Sequence, residues 1–183
     1  MRDACAVVLA GGLSRRFGSD KALAELGGEP LIARAVRLLR AEFAQVLIAA
    51  KDDRYAAFGD VVRDPSPAQT PLAGLHAGLS ASRCELVFAC AADMPFVADR
   101  ALLDALFAAV QDAAVPGQAG LLQPLAALWR RSVCLPVAAE LLAAGSPGPR
   151  ALAARVRAAY VEWPDARPFL DADTPEALAL LAR

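Results

Sequence analysis

Val7-Val8-Leu9-Ala10-Gly11-Gly12-Leu13-Ser14-Arg15-Arg16-Phe17-Gly18-Ser19-Asp20-Lys21 lies near the start of a chain of 183 residues. The stretch begins inside an apolar run, residues 5–10, which predicts a buried strand that stops at two glycines. Glycines at a strand end let the backbone approach a ligand closely, and N–H groups in such a turn bind anionic oxygen. Because two arginines and a lysine follow, the stretch predicts a loop that wraps a triphosphate.

Two known phosphate-binding patterns do not match this loop. The P-loop ends in Gly-Lys-Ser/Thr, whereas Lys21 stands between Asp20 and Ala22. The dinucleotide pattern G-x-G-x-x-G fails because Leu13 and Arg16 stand where its second and third glycines belong. The loop therefore belongs to neither class.

Apolar strand-like runs alternate with helical patterns over the rest of the chain. Strands are predicted at residues 46–50, 61–62, 86–91, 122–130 and 160–163, and helices at 31–43, 72–82, 102–110, 133–142 and 151–159. Residues 113–120 are typical of a turn-rich segment, and either Asp173 or Thr174 is expected to cap a last helix. The pattern predicts an α/β fold, a three-layer, Rossmann-like and mostly parallel sheet with helices on both faces. We expect residues 1–183 to form a single domain.

Three predicted strands are followed by residues that suit a ligand site. Gly11 follows the first strand, Asp64 the strand at 61–62, and Asp93 the strand at 86–91. Open parallel sheets bind their ligands at the carboxyl ends of the strands. We therefore expect these three residues to lie at one edge of the sheet.

Composition and residue spacing argue against several classes of function for this chain. A net charge of −1 argues against a nucleic-acid partner. The longest strongly apolar run, residues 86–92, is too short to span a membrane, and no signal-peptide pattern is visible, so we expect a cytoplasmic protein with no membrane partner. The single histidine gives zinc hydrolase and Ser-His-Asp chemistry little support. The cysteines have no metal-binding spacing and are expected to be structural, unpaired thiols: Cys5, Cys84, Cys90 and Cys134.

The first motif resembles the signature L-A-G-G-x-S-x-R-F/M-G-x-D-K of nucleotidyltransferases. Its L-A-G-G form is most similar to the molybdenum cofactor guanylyltransferases of the MobA-like family. Other family motifs have counterparts in the same order. Asp64 with residues 71–75 resembles an aspartate followed by G-P-L-A-G, and residues 93–96 resemble the end of C-D-M-P-F/Y. Residues 122–130 resemble Q-P-L-x-A-L-Y/W-R, and residues 171–176 resemble N-x-N-T-P-E.

This resemblance implies an activity. GMP would be transferred from GTP to molybdenum-molybdopterin, giving the molybdopterin guanine dinucleotide and pyrophosphate. The N-terminal half would bind the nucleotide and the C-terminal half the acceptor. Proteins that mature molybdoenzymes would be further partners.

The resemblance also implies roles for individual residues. Both reactants are anionic, so the reaction needs precise alignment and cations, for which Lys21 and one or both of Arg15 and Arg16 are suited. Lys21, Arg16 and Asp93 would be catalytic, and Asp93 would hold Mg²⁺. The nucleotide would be bound by Leu9, Ala10, Gly11, Gly12, Lys21, Asp64 and Asp93.

The chain departs from the family pattern at four positions. Thr70 replaces a usual glycine, and Ala49 replaces an asparagine that contacts the nucleotide in some members. Asp171 and Asp173 replace asparagines, and Asp173 either approaches the metal or caps the last helix.

Three further functions stay open at this point. They are a cytidylyltransferase acting on the same pterin, a sugar-phosphate nucleotidyltransferase, and a non-catalytic GTP-binding module. The presence of both Lys21 and Asp93 disfavours the binding module, because binding alone seldom requires a carboxylate that bridges a metal to phosphate.

Overall fold

The computed structural model describes residues 1–11, 17, 20–145 and 148–181. The strands are β1 (Arg2–Leu9), β2 (Glu25–Leu26), β3 (Glu29–Pro30), β4 (Phe43–Ala50), β5 (Asp60–Arg63), β6 (Leu86–Ala91), β7 (Ala113–Gln118), β8 (Leu121–Leu122), β9 (Ala126–Arg130) and β10 (Ala158–Glu162). The α-helices are α1 (Leu31–Arg40), α2 (Pro71–Ala81), α3 (Arg100–Ala109), α4 (Arg131–Ala143), α5 (Pro149–Arg155) and α6 (Pro175–Leu181). Short 3₁₀ helices cover Lys21–Leu23 and Arg167–Phe169.

One 8-stranded sheet organises the molecule, in the order β10-β7-β9-β6-β1-β4-β5 with β8 paired to β7. Strands β6, β1, β4 and β5 are mutually parallel, and β10 is parallel to β7. Strand β9 runs antiparallel between β6 and β7. The mostly parallel sheet predicted from the sequence is confirmed.

Helices cover both faces of this sheet. Along β1, Ala4, Ala6 and Val8 belong to the core cluster under α1 and α3, whereas Cys5 and Val7 belong to the cluster under α2, α4 and α5. Successive strand residues point to opposite faces, so a continuous apolar run is what a sheet buried on both sides requires. The predicted three-layer architecture is therefore confirmed.

Small residues bring α2 close to β1. A Cβ atom added at Gly78 would lie 2.5 Å from Cγ1 of Val7, so the helix axis passes too near the strand for any larger residue. The N-terminal end of α2 is capped by Thr70, whose hydroxyl accepts a hydrogen bond from the N–H of Ala73 at 3.4 Å. This close packing holds the start of α2 beside the carboxyl ends of β1 and β4.

Four local predictions are wrong. The strand predicted at residues 122–130 is interrupted, because β8 ends at Leu122 and β9 begins at Ala126. Phe43 begins β4 instead of extending the first helix, residues 113–118 form the buried strand β7 instead of turns, and the helix predicted at 151–159 ends at Arg155 because Ala158 begins β10. Strand β7 has strands on both sides. Its small residues carry no periodic signal, and its neighbours in the sheet decide its conformation.

The cysteines also differ from expectation. Cys5 and Cys84 form a disulfide, so the prediction of unpaired thiols is wrong for this pair. Cys90 and Cys134 are buried free thiols, and burial raises the pKa of both, to about 12 for Cys134. Cys5 and Cys84 are 79 residues apart in the chain, and the sequence contains no spacing pattern that would indicate this pairing.

Within the described residues, no helix is both long and apolar enough to cross a membrane.

Candidate active site

A pocket of about 400 Å³ opens at the carboxyl ends of β1, β4, β5 and β6. Gly11, Asp64 and Asp93 all line it, so the three strand ends do lie at one edge of the sheet. Asp64 and Asp93 are only 7% and 8% exposed, which makes both unusual among carboxylates and indicates that each is held by specific partners. The roles of these residues in binding stay predictions.

Lys21 is the centre of the charged cluster in this pocket. Its ammonium group donates hydrogen bonds to Asp93 and, at 2.6 Å, to Oδ1 of Asp173. Partial burial acts to lower the pKa of Lys21, but the hydrogen bonds and negative charges of Asp173 and Asp93 outweigh it and raise that pKa. The lysine therefore stays charged and connects the N-terminal loop to two other parts of the chain.

Asp20 and Tyr55 orient the turn that carries Lys21. Asp20 caps the 3₁₀ helix by accepting a hydrogen bond from the N–H of Ala22 at 3.2 Å. The buried hydroxyl of Tyr55 donates to the same carboxylate at 2.8 Å, and burial together with this hydrogen bond raises the pKa of Tyr55. Sequence reasoning missed Tyr55, because an aromatic residue in a polar connection carries no motif.

The C-terminal segment reaches the pocket through Ala172. This residue is buried, and its N–H donates to the backbone carbonyl oxygen of Asp93 at 3.0 Å, which places Asp171 and Asp173 beside Lys21. Burial raises the pKa of Asp171, and the charges of Asp173 and Asp93 add to the effect.

The helix cap that follows is Thr174 and not Asp173. The hydroxyl of Thr174 accepts from the N–H of Ala177 at 3.1 Å, whereas the carboxylate of Asp173 is directed to Lys21. Asp173 therefore does not cap the helix but lies in the pocket, and its approach to a metal stays a prediction.

The backbone just before the two glycines takes part in the hydrogen bonding of the sheet. The carbonyl oxygen of Leu9 accepts from the N–H of Ala92 at 3.1 Å, and the N–H of Ala10 donates to Ala49 at 2.9 Å. Leu9 and Ala10 line the pocket, but the N–H of Ala10 is used within the sheet, so a backbone donor to a bound base must be another N–H, such as that of Gly11. The predictions for Gly12, Arg15 and Arg16 lie outside the described residues.

The lining of the pocket comes from two parts of the fold. Strands β1 and β4 and the segments that follow β4 and β5 contribute Leu9, Ala49, Lys51, Asp64 and Thr70. The segments after β8 and before the C-terminal helix contribute Gln123, Pro124, Leu125 and Phe169. The charged cluster of Lys21, Asp93, Asp171 and Asp173 lies in the same pocket. The arrangement suits two ligands that meet at a charged centre.

This fold and this lysine–carboxylate centre define an enzyme of the nucleotidyltransferase class. Residues 6–160 match the family model described as MobA-like NTP transferase domain, and the chain belongs to this family.

Curated relatives agree with this assignment, and a solved structure shares the fold. The chain is similar to the molybdenum cofactor guanylyltransferase of Burkholderia orbicola, with 38% identity over 97% of this chain and 94% of the relative. It is similarly related to the molybdenum cofactor guanylyltransferase of Cereibacter sphaeroides, with 37% identity over 94% and 92%. The crystal structure of molybdopterin-guanine dinucleotide biosynthesis protein A from Archaeoglobus fulgidus has the same fold, with a TM-score of 0.79, 23% identity and coverage of 98% and 96%.

Proposed function

We propose that this enzyme transfers the GMP group of GTP to the terminal phosphate of molybdenum-bound molybdopterin. An oxygen of that phosphate attacks the α-phosphorus of GTP, the bond from the α-phosphorus to the bridging oxygen breaks, and pyrophosphate leaves. The products are molybdopterin guanine dinucleotide and pyrophosphate. The curated relatives named for this activity cover almost the whole chain and support the assignment.

The observation that carries the proposal is the position of Lys21. Its ammonium donates hydrogen bonds to both Asp93 and Asp173, and all three residues line the pocket. Both reactants bear several negative charges, so a fixed cation where they meet lowers their mutual repulsion and stabilises charge in the transition state. The attacking phosphate is already ionised, so the chain needs no strong base.

The carboxylates of Asp93 and Asp173 fit a role in holding Mg²⁺. Both already bind one cation, the ammonium of Lys21, and carboxylate oxygens are the ligands that Mg²⁺ prefers. No group of three or more metal-binding side chains is found among the described residues, so phosphate and water oxygens would complete the coordination. When bound, Mg²⁺ would neutralise phosphate charge.

The nucleotide preference tests the guanylyl assignment. We expect kcat/KM for GTP to exceed that for CTP by at least about tenfold, because buried polar groups matched to guanine are left unpaired by cytosine. The measurement is pyrophosphate release with each nucleoside triphosphate, Mg²⁺ and molybdenum-molybdopterin. Equal values for the two nucleotides contradict the guanylyl assignment but leave a nucleotidyltransferase in place.

The choice of acceptor distinguishes a pterin enzyme from a sugar-phosphate enzyme and from a binding module. Release of pyrophosphate with a sugar phosphate in place of the pterin would indicate a sugar-phosphate nucleotidyltransferase. Stabilisation by GTP without pyrophosphate release, whether the pterin or a sugar phosphate is present, would indicate a binding module.

Replacing Asp173 by asparagine tests the second carboxylate. We expect Asp173→Asn to need several-fold more Mg²⁺ for its half-maximal rate, because the amide keeps the shape of the side chain but loses its charge. Thermal stabilisation by GTP at each Mg²⁺ concentration should shift in the same direction. The melting temperature without ligand should change little, because Thr174 caps the helix.

A carboxylate in the same segment provides the control. Asp165 is exposed and accepts a hydrogen bond from the N–H of Arg167 at 2.9 Å. Asp165→Asn should leave the Mg²⁺ titration unchanged. An unshifted titration in Asp173→Asn would contradict the role of Asp173 and leave Asp93 as the only tested carboxylate on the metal.

A further inference from the structure

Lys51 is one of two lysines in the chain, and it directly follows β4 on the wall of the pocket. Its ammonium donates to Oδ2 of Asp64 at 2.5 Å, to the carbonyl oxygen of Ser66 at 2.6 Å and to that of Ala68 at 2.9 Å. An ammonium group has three protons, so these contacts use all of its donors. Lys51 is therefore held in place by the protein itself and is not a solvated surface charge.

The three contacts shape the segment from Asp64 to Thr70, which joins β5 to α2 and which we call the β5–α2 loop. Within this loop the N–H of Ser66 donates to Oδ1 of Asp64 at 2.9 Å, and the N–H of Ala68 donates to the hydroxyl of Ser66 at 3.1 Å. The loop is thus wrapped around the ammonium group. Its residues Asp64, Gln69 and Thr70 line the pocket, so Lys51 sets the position of one wall.

The contact between Lys51 and Asp64 also sets the net charge on this wall of the pocket. A buried carboxylate without a counter-charge is unfavourable, and its charge would repel a triphosphate in the same pocket. Lys51 neutralises Asp64 but leaves part of its hydrogen-bonding capacity available, because an ionised carboxylate accepts about four hydrogen bonds. Asp64 can then accept hydrogen bonds from the N–H groups of a bound base without a net negative charge on this wall.

We propose that Lys51 is a positioning residue that sets the selectivity for the base by holding Asp64 and the β5–α2 loop. The inference rests on the proposed function, because it takes GTP as the nucleotide. Guanine presents an N1–H and an exocyclic 2-amino group on one edge, which matches a carboxylate acceptor. Inosine triphosphate lacks only the 2-amino group and is therefore the sharpest comparison.

The variant Lys51→Met tests this role by removing the charge while keeping an unbranched side chain. We expect KM for GTP to rise about tenfold or more, because hydrogen bonds that involve a charged group are lost or misaligned, with kcat changed far less. The ratio of kcat/KM for GTP to that for inosine triphosphate should fall toward one. A purely structural role would affect both nucleotides equally and leave this ratio unchanged.

A double-mutant cycle tests whether Lys51 acts through Asp64, and a surface variant controls for the loss of a positive charge. If Lys51 acts through Asp64, the variant Lys51→Met/Asp64→Asn should lose no more selectivity than Asp64→Asn alone. The control is Arg63→Met, because Arg63 is an exposed cation beside the loop, is paired with Asp53 and does not line the pocket. Arg63→Met should keep the wild-type KM and nucleotide ratio.

The outcomes separate this inference from the proposed function. A wild-type KM and nucleotide ratio in Lys51→Met, or an equal loss with both nucleotides, overturns the role of Lys51. If Lys51→Met does not fold, Lys51→Arg carries the test, because a planar guanidinium cannot reproduce three diverging ammonium contacts and should reduce selectivity. Failure of the proposed function appears in the wild type, as GTP that binds without pyrophosphate release. Thermal stabilisation by the two nucleotides still measures the effect of Lys51 in that case.

Discussion

Replacing Lys21 by methionine is expected to lower the turnover rate about 100- to 1000-fold, because one preorganised group that stabilises phosphate charge is lost. Methionine keeps an unbranched side chain of similar length, so the change removes mainly the charge. The rate should be measured as pyrophosphate release at saturating GTP and acceptor, well below the unfolding temperature. The 3₁₀ helix that begins at Lys21 should persist in the variant, because it is capped by Asp20. Tyr55 holds the carboxylate of Asp20 by a hydrogen bond that does not involve Lys21.

The control for Lys21→Met is Arg83→Met. Arg83 is exposed and precedes β6, at the edge of the sheet opposite the pocket. Its loss removes a positive charge from the molecule without touching the site, so turnover should stay at the wild-type level. Wild-type turnover in Lys21→Met would contradict the catalytic role of the lysine.

Asp93→Asn is expected to have the largest effect, a loss on the order of 1000-fold in turnover. A metal ion that bridges phosphates supplies several kcal/mol of stabilisation, and about 1.4 kcal/mol corresponds to tenfold in rate. Asparagine keeps the shape of the side chain, and the backbone carbonyl oxygen that accepts from the N–H of Ala172 is unaffected. The C-terminal segment should therefore stay in place while the charge is lost.

A binding measurement separates metal binding from a general loss of activity. In wild-type protein, stabilisation by GTP should be greater with Mg²⁺ than with a chelator present, and in Asp93→Asn this difference should shrink. Asp104→Asn is the matched control, because Asp104 is an exposed carboxylate on α3 that pairs with Arg2. If Asp93→Asn keeps both the Mg²⁺ dependence and the wild-type turnover rate, Asp93 does not hold the metal.

Much of the nucleotide side of the site could be predicted from the sequence. Gly11, Asp64 and Asp93 each follow an apolar run that is a strand, and strand ends in a parallel sheet share an edge. Lys21 lies close to the first of these strands in the chain, so its place near the pocket also follows from local sequence. The contact between Lys21 and Asp173 does not follow from local sequence, because the sequence left two roles open for that carboxylate and neither was a contact with Lys21.

Three features of the molecule were missed for a shared reason. Lys51 and Tyr55 lie in the connection after β4, where charged and aromatic residues are common and indicate nothing by themselves. The pairing of Cys5 with Cys84 joins residues that no spacing rule connects. Each feature depends on a partner from another part of the chain, and only the folded molecule shows which partner is near.

The sequence by itself determined the alternation of strands and helices, the sheet buried on both faces and the place of Gly11 after β1. These follow from periodicity and from residues that are neighbours in the chain, so a local pattern records them. The tertiary structure alone decided that β7 is a strand, that Thr174 caps the last helix and that Asp173 reaches Lys21 across 152 residues. Such contacts arise when the sheet and its helices bring distant segments together, and contact between distant segments leaves no periodic trace in the sequence.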